Sequence, residues 1–300
     1  MLYALPYRLF YIIVREVRLP WWKTLISCDV HHIFQGFQST TSIMWLMLIW
    51  FMLPVHALVS GPTCAGNISS TEYAALQGLY SSTGGPNWLW HSGLNQSTQQ
   101  WVFPSRLSAP CEDHWEGISC GIQSVMSIEH GDTCYIASLV LPSTNLRGRL
   151  PSCLGSLSRL STLDLEDNSL TGSIPSQRGG LISLAVLDLY SNSLTGSFVS
   201  QVRNLTSLII FSVGVNLLTG PIPSSLGLLT KLTTMDLSYN HLTGSIPSQL
   251  AKLNNLIILK LFANVLQHRI PPELGMLTSL NVMEIDENSI TGSIPSEWIR

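Results

Sequence analysis

Charge is scarce in this chain. Lys and Arg together number 15 and Asp and Glu 18 among 300 residues, a net of −3. Binding nucleic acid needs a dense Lys/Arg surface to neutralise phosphates, so nucleic acid is excluded as a general partner. No CxxC pair occurs, which removes the usual zinc-site spacing. His114, His130, His241 and His268 stand apart with no nucleophile motif beside them, and no kinase glycine loop or catalytic loop is present. No catalytic residue, cofactor site or metal site can therefore be assigned, and a non-enzyme is expected.

A long hydrophobic run is also missing. The apolar stretch Ile43 to Leu53 has 11 residues, where a spanning helix needs about 20. Arg8, Arg15, Arg18 and Lys23 precede it, and Val55-His56-Ala57 follow Pro54. A basic flank, a short apolar core and small residues at −3 and −1 describe a secretory signal peptide. Residues 1–57 are read as that signal, or as an uncleaved signal anchor, and either places the remainder outside the cell. Without them, 11 basic and 16 acidic residues remain. Membrane contact is expected only through such an anchor or a segment beyond Arg300.

What the chain has in abundance is a period. Gly148, Gly172, Gly196, Gly220, Gly244 and Gly292 are spaced at 24 or a multiple of it, with His268 as the absentee. Pro151, Pro175, Pro223, Pro247, Pro271 and Pro295 keep the same step, with Val199 in one place. So do Asn168, Asn192, Asn216, Asn240, Asn264 and Asn288, with Thr144 standing first. Leu163 and Leu165 alternate with Thr162, Asp164 and Glu166, the period of a strand with one buried face. So short a strand cannot bury that face alone, so successive units must stack. Asn168 falls at the end of the strand, where its amide can satisfy backbone groups. Repeated along the array, such residues would make a ladder of hydrogen bonds.

These residues resemble the plant-type leucine-rich repeat, LxxLxxLxLxxNxLxGxIPxxLGx, from Thr133 to Arg300. The resemblance implies an α/β leucine-rich-repeat solenoid of seven 24-residue repeats. A parallel β-sheet would line the concave face, 3₁₀ or extended segments the convex face, and a small helical disulfide-bonded cap would precede them. The departures are Thr144, Val199, His268 and Arg178. Arg178 replaces a core leucine and should thin the convex packing, and His268 should strain its turn.

Residues 58–132 have the character of that cap. Ser69-Ser70-Thr71-Glu72 is a capping-box spacing, Tyr73, Leu76, Leu79 and Tyr80 follow at helical intervals, and Gly84-Gly85 end the helix. Trp88, Trp90, Trp101 and Trp115 supply apolar bulk. "PCEDHWEGISC" is similar to the cap of the family, which implies a disulfide between Cys111 and Cys120. Cys134 and Cys153 lie at the two edges of the first repeat and are a further candidate pair, leaving Cys64 free. The alternative joins Cys64 to one of them. Asn67, Asn95 and Asn204 begin glycosylation sequons.

On the concave face one column reads Val140, Asp164, Asp188, Ser212, Asp236, Lys260 and Glu284. The next reads Pro142, Glu166, Tyr190, Gly214, Ser238, Phe262 and Asp286. A third holds Val215 and Tyr239, and a fourth Ile210 and Ile258. Acidic residues stand at both ends, with Tyr190, Ile210, Tyr239 and Phe262 between them. Exposed aromatics flanked by charge are what a recognition surface tends to contain. Acid on a repeat surface also serves solubility alone. The candidate ligand-binding set is Asp164, Glu166, Asp188, Tyr190, Ile210, Asp236, Tyr239, Lys260, Phe262, Glu284 and Asp286, facing a peptide or protein with basic segments. The resemblance implies an extracellular recognition protein of the receptor-like kind. As a second reading it allows a secreted inhibitor of a cell-wall hydrolase, similar to polygalacturonase inhibitors, and as a third a structural surface scaffold.

Overall fold

A computed structural model describes residues 68–90, 100–103, 110–123, 133–175, 180–198, 202 and 204–298, all within the unit Pro62–Arg300. The signal-peptide reading of residues 1–57, the sequons at Asn67 and Asn95, and Cys64, Arg178 and Val199 lie outside the described residues. Among the described residues no helix is long and apolar enough to cross a membrane.

Helix α1 (Ser70–Ser82) opens on the expected capping box. Glu72 N–H donates to Ser69 Oγ, and Ser69 N–H to Glu72 Oε2, both at 3.2 Å. Two otherwise orphaned donors are thereby satisfied. The other oxygen of Glu72 accepts from Ile136 N–H at 3.1 Å, so one buried carboxylate both starts the helix and ties it to the first repeat. After Thr83 the chain turns through Gly84 at φ 73°. Trp88, Trp101 and Trp115 are buried against one another, Trp101 stacking on Trp115 at 5.5 Å. Two of the indole N–H groups have carbonyl partners within the cap, Trp88 Nε1 donating to Thr83 O and Trp101 Nε1 to Glu116 O. The Cys111–Cys120 disulfide is formed.

Strand β1 (Ile118–Gln123) pairs antiparallel with β2 (Thr133–Val140). From β2 the sheet continues in parallel through Thr162–Asp164, Val186–Asp188, Ile210–Ser212, Thr234–Asp236, Ile258–Lys260 and Val282–Glu284, eight strands in all. Each strand pairs with its neighbour in unbroken register, Thr162 with Val186, Val186 with Ile210 and Ile210 with Thr234. The stacking that short one-faced strands require is therefore present. Leu139, Leu163, Leu187, Phe211, Met235 and Leu259 form one buried column, and Leu141, Leu165, Leu189, Val213, Leu237 and Leu261 another. Each such side chain contributes about 1.5–3 kcal/mol by burial, an upper figure for an extended reference chain.

A second sheet forms where the sequence promised only extended backbone. Arg147–Arg149, Ser169–Gly172, Ser193–Gly196, Leu217–Pro221, His241–Gly244, Val265–His268 and Ser289–Ile290 stack as seven strands. The outer segments expected beyond each proline are 3₁₀ turns at Ser152–Ser156, Ser224–Leu228, Ser248–Lys252 and Pro272–Met276, entered by Pro151, Pro223, Pro247 and Pro271. An apolar gap is lined by Leu163, Ile174, Leu181, Leu187, Val202 and Phe211.

One expected pairing is corrected. Cys134 is disulfide-bonded, but Cys153 carries a free thiol. Cys134 begins the inner-sheet strand β2, whereas Cys153 sits in an outer 3₁₀ turn with its Sγ 4.0 Å from Ala75 O of α1. The two cysteines belong to different layers, so they do not meet.

Candidate ligand-binding surface

The asparagine column holds the sheet edge in place. Asn240 Nδ2 donates to Val213 O, Leu237 O and Ser238 O, while its Oδ1 accepts from Leu218 N–H at 2.9 Å. Asn168, Asn192, Asn216, Asn264 and Asn288 repeat the arrangement one coil apart. Just before each asparagine the chain enters the left-handed region, at φ 54° for Asp167, 51° for Val215 and 47° for Tyr239. That turn ends each strand at the same height, so the preceding side chains form straight columns.

The carboxylates of the first column are less open than the sequence implied. Asp164 Oδ1 accepts from Glu166 N–H, Asp188 Oδ1 from Tyr190 N–H and Asp236 Oδ1 from Ser238 N–H, each two residues on. Asp188 is 5% exposed and Asp236 9%. These aspartates fasten the strand end as well as facing the surface. Asp164, Glu166 and Asp188 are brought together, with ligand oxygens within 4.8 Å of one another. One oxygen each of Asp164 and Asp188 already accepts a backbone N–H, and the trio makes this end of the sheet locally negative.

Tyr190 and Phe262 are half-buried, and Tyr239 is 50% exposed with its ring edge-on to Phe262 at 4.9 Å. Ile210 is half-buried in register between Val186 and Thr234. Lys260 pairs with Glu284 at 3.5 Å, so this cation is already engaged. Asp286 and Glu287 are exposed at the far end. The set thus divides into an acidic start, an aromatic middle and an acidic end on one sheet. Sequence reasoning passed over Ser212, Gly214 and Ser238 in the middle. All three are buried, and the signal was a run of small residues interrupting columns of acid and aromatic.

Parallel coils, the asparagine ladder and the disulfide cap define a leucine-rich-repeat solenoid. The Leucine Rich Repeat family pattern matches residues 159–181 and 231–253, while no curated protein matches the chain. The ectodomain of GASSHO1/SCHENGEN3, a membrane receptor kinase of Arabidopsis thaliana solved with CASPARIAN STRIP INTEGRITY FACTOR 2, is 34% identical over 67% of this chain and 24% of its own, with a TM-score of 0.58. The Arabidopsis receptor kinase HAESA, solved with the peptide hormone IDA and the co-receptor SERK1, is 39% identical over 53% of this chain and 26% of its own, with a TM-score of 0.52. A chain of the BIR3–SERK2 complex of Arabidopsis thaliana is 30% identical over 74% of this chain and 96% of its own, with a TM-score of 0.50. The protein belongs to the leucine-rich-repeat family and is of the plant receptor-like type. It spans about a quarter of the length of the first two receptors.

Proposed function

We propose that this protein is an extracellular ligand-binding module that recognises a peptide or protein through the aromatic middle of its eight-stranded sheet, at the cell surface or after secretion. The observation that carries this reading is the placement of Tyr190, Tyr239 and Phe262 on one rigid sheet face between two acidic ends. Aromatic side chains bring a large contact area at low entropic cost, and flanking carboxylates favour partners with basic segments. The similar receptor kinase HAESA is solved with the peptide hormone IDA, which supports a peptide as ligand. Binding is the role, with no substrate turned over. Asn204 begins its sequon exposed on an outer turn, where a glycan would project clear of the binding face.

The test uses the tagged protein from secreting cells as bait for extracellular and cell-surface fractions. A peptide or protein should be retained, and the combined variant Tyr190→Ala, Tyr239→Ala, Phe262→Ala should lose it with an unchanged circular dichroism spectrum. Full retention by the variant refutes the aromatic surface. Recovery of a basic cell-wall hydrolase would identify the ligand as an enzyme and the role as inhibition.

A further inference from the structure

Cys134 has a disulfide partner that the other described cysteines do not supply. Cys111 and Cys120 are bonded to each other, and Cys153 carries a free thiol, whereas Cys134 is disulfide-bonded. Cys153 is held elsewhere. Its Sγ lies 4.0 Å from Ala75 O of α1, and a β-carbon added to Gly78 would stand 2.5 Å from that sulfur. Of the six cysteines only Cys28 and Cys64 remain, so the partner of Cys134 is one of those two.

The surroundings of Cys134 favour one of them. It is the second residue of β2, 4% exposed and paired with Ile122. Two residues further on, Ile136 N–H donates to Glu72 Oε1 at 3.1 Å, which brings the first turn of α1 to the same stretch of strand. Cys64 precedes Glu72 by eight residues and Cys28 by 44. With Glu72 and Ile136 joined, a bond from Cys64 closes a loop of about ten residues and one from Cys28 a loop of about 46. The chance of meeting falls roughly as the −3/2 power of loop length, which favours Cys64 about tenfold. Eight extended residues reach up to about 26 Å, so span is no obstacle.

We infer that Cys134 is bonded to Cys64, a disulfide that staples the segment ahead of α1 to strand β2. With residues 1–57 removed, and Cys28 with them, Cys153 is then the one thiol left to the chain. The bond forms by exchange with a disulfide donor of an oxidising compartment. The two thiols give up two protons and two electrons, and the donor leaves as its dithiol. The junction of cap and repeats is thereby held twice, once covalently and once by the charge-assisted bond of Glu72 to Ile136 N–H.

The experiment is chymotryptic peptide mapping of the full protein from secreting cells, alkylated in denaturant without reduction and mapped again after reduction. A linked pair carrying Cys64 and Cys134 is expected, which separates on reduction. Among the cysteines after residue 57, Cys153 alone should be alkylated before it. Cys64→Ser should expose Cys134 as a second alkylated thiol and quicken hydrogen exchange at Ile136. Cys153→Ser should leave the linked pair as it is. The parent map decides the pairing even where Cys64→Ser is not secreted. Cys134 linked to Cys28, Cys134 alkylated in the unreduced parent, or Cys134 still linked in Cys64→Ser overturns the assignment.

Discussion

Backbone conformation at single residues carries much of the repeat geometry. Ser143, Asp167, Ser191, Val215, Tyr239, Ala263 and Glu287 all have φ between 47° and 55°, and none is glycine. A left-handed residue with a β-carbon costs about 1–2 kcal/mol, so the surroundings must impose it. Val215 shows how, since its N–H donates to Ser238 O and its carbonyl accepts from Asn192 N–H. His268 is a different case. It has φ 72° where Gly172 has 76° and Gly244 77°, and its side chain is exposed. The strain expected at this position is present. His268→Gly removes it, and glycine's greater freedom in the unfolded chain returns part of the gain. A net stabilisation of about 0.5–1 kcal/mol is expected, read as a higher urea midpoint at constant slope. A lower midpoint would mean that the imidazole holds a contact worth more than the turn.

The asparagine ladder and the two sheets belong to the next scale. Asn240 makes three donor bonds and accepts from a buried N–H, whereas Asn288, at the last described coil, makes one of its three donor bonds in the open, to Asp286 O. Asn240→Ala leaves the Leu218 N–H without a partner in a dry interior, at a cost of about 1–3 kcal/mol, while the Val213 carbonyl keeps its bond from Asn216 Nδ2. A loss of about 2 kcal/mol is expected, with faster hydrogen exchange at Leu218, and Asn288→Ala should lose less. Equal losses would show that burial does not set the strength of the ladder. The ladder was legible in sequence because one residue type recurs at one step, and the leucine columns were legible for the same reason. The second sheet was not, because a strand such as Ser169–Gly172 buries only Leu170, and one apolar residue has no period. Strand β1 gave no alternation either, and its antiparallel pairing comes from the cap's tertiary contacts. At the candidate surface the columns could be read, but the burial of Asp188 and Asp236 could not. Their bonds to Tyr190 N–H and Ser238 N–H depend on how the strand ends, which composition does not reveal.

Across the whole molecule, each coil touches only its neighbours, and stability is approximately a sum of unit and interface contributions. Among the described residues the cap has a different construction. Its aromatic cluster and the Cys111–Cys120 bridge do for it what stacked leucines do for the repeats, and it joins the array through Glu72 to Ile136 N–H and β1 to β2. Breaking the bridge should therefore act locally. Replacing both Cys111 and Cys120 by Ser removes the constraint on a short loop, worth about 2–3 kcal/mol. Hydrogen exchange is expected to quicken through α1, β1 and β2, while amides from Leu237 to Leu266 keep their protection. Loss of protection spreading evenly to Leu266 would mean that the coils melt as one cooperative body, and that the nearest-neighbour picture of this array is wrong.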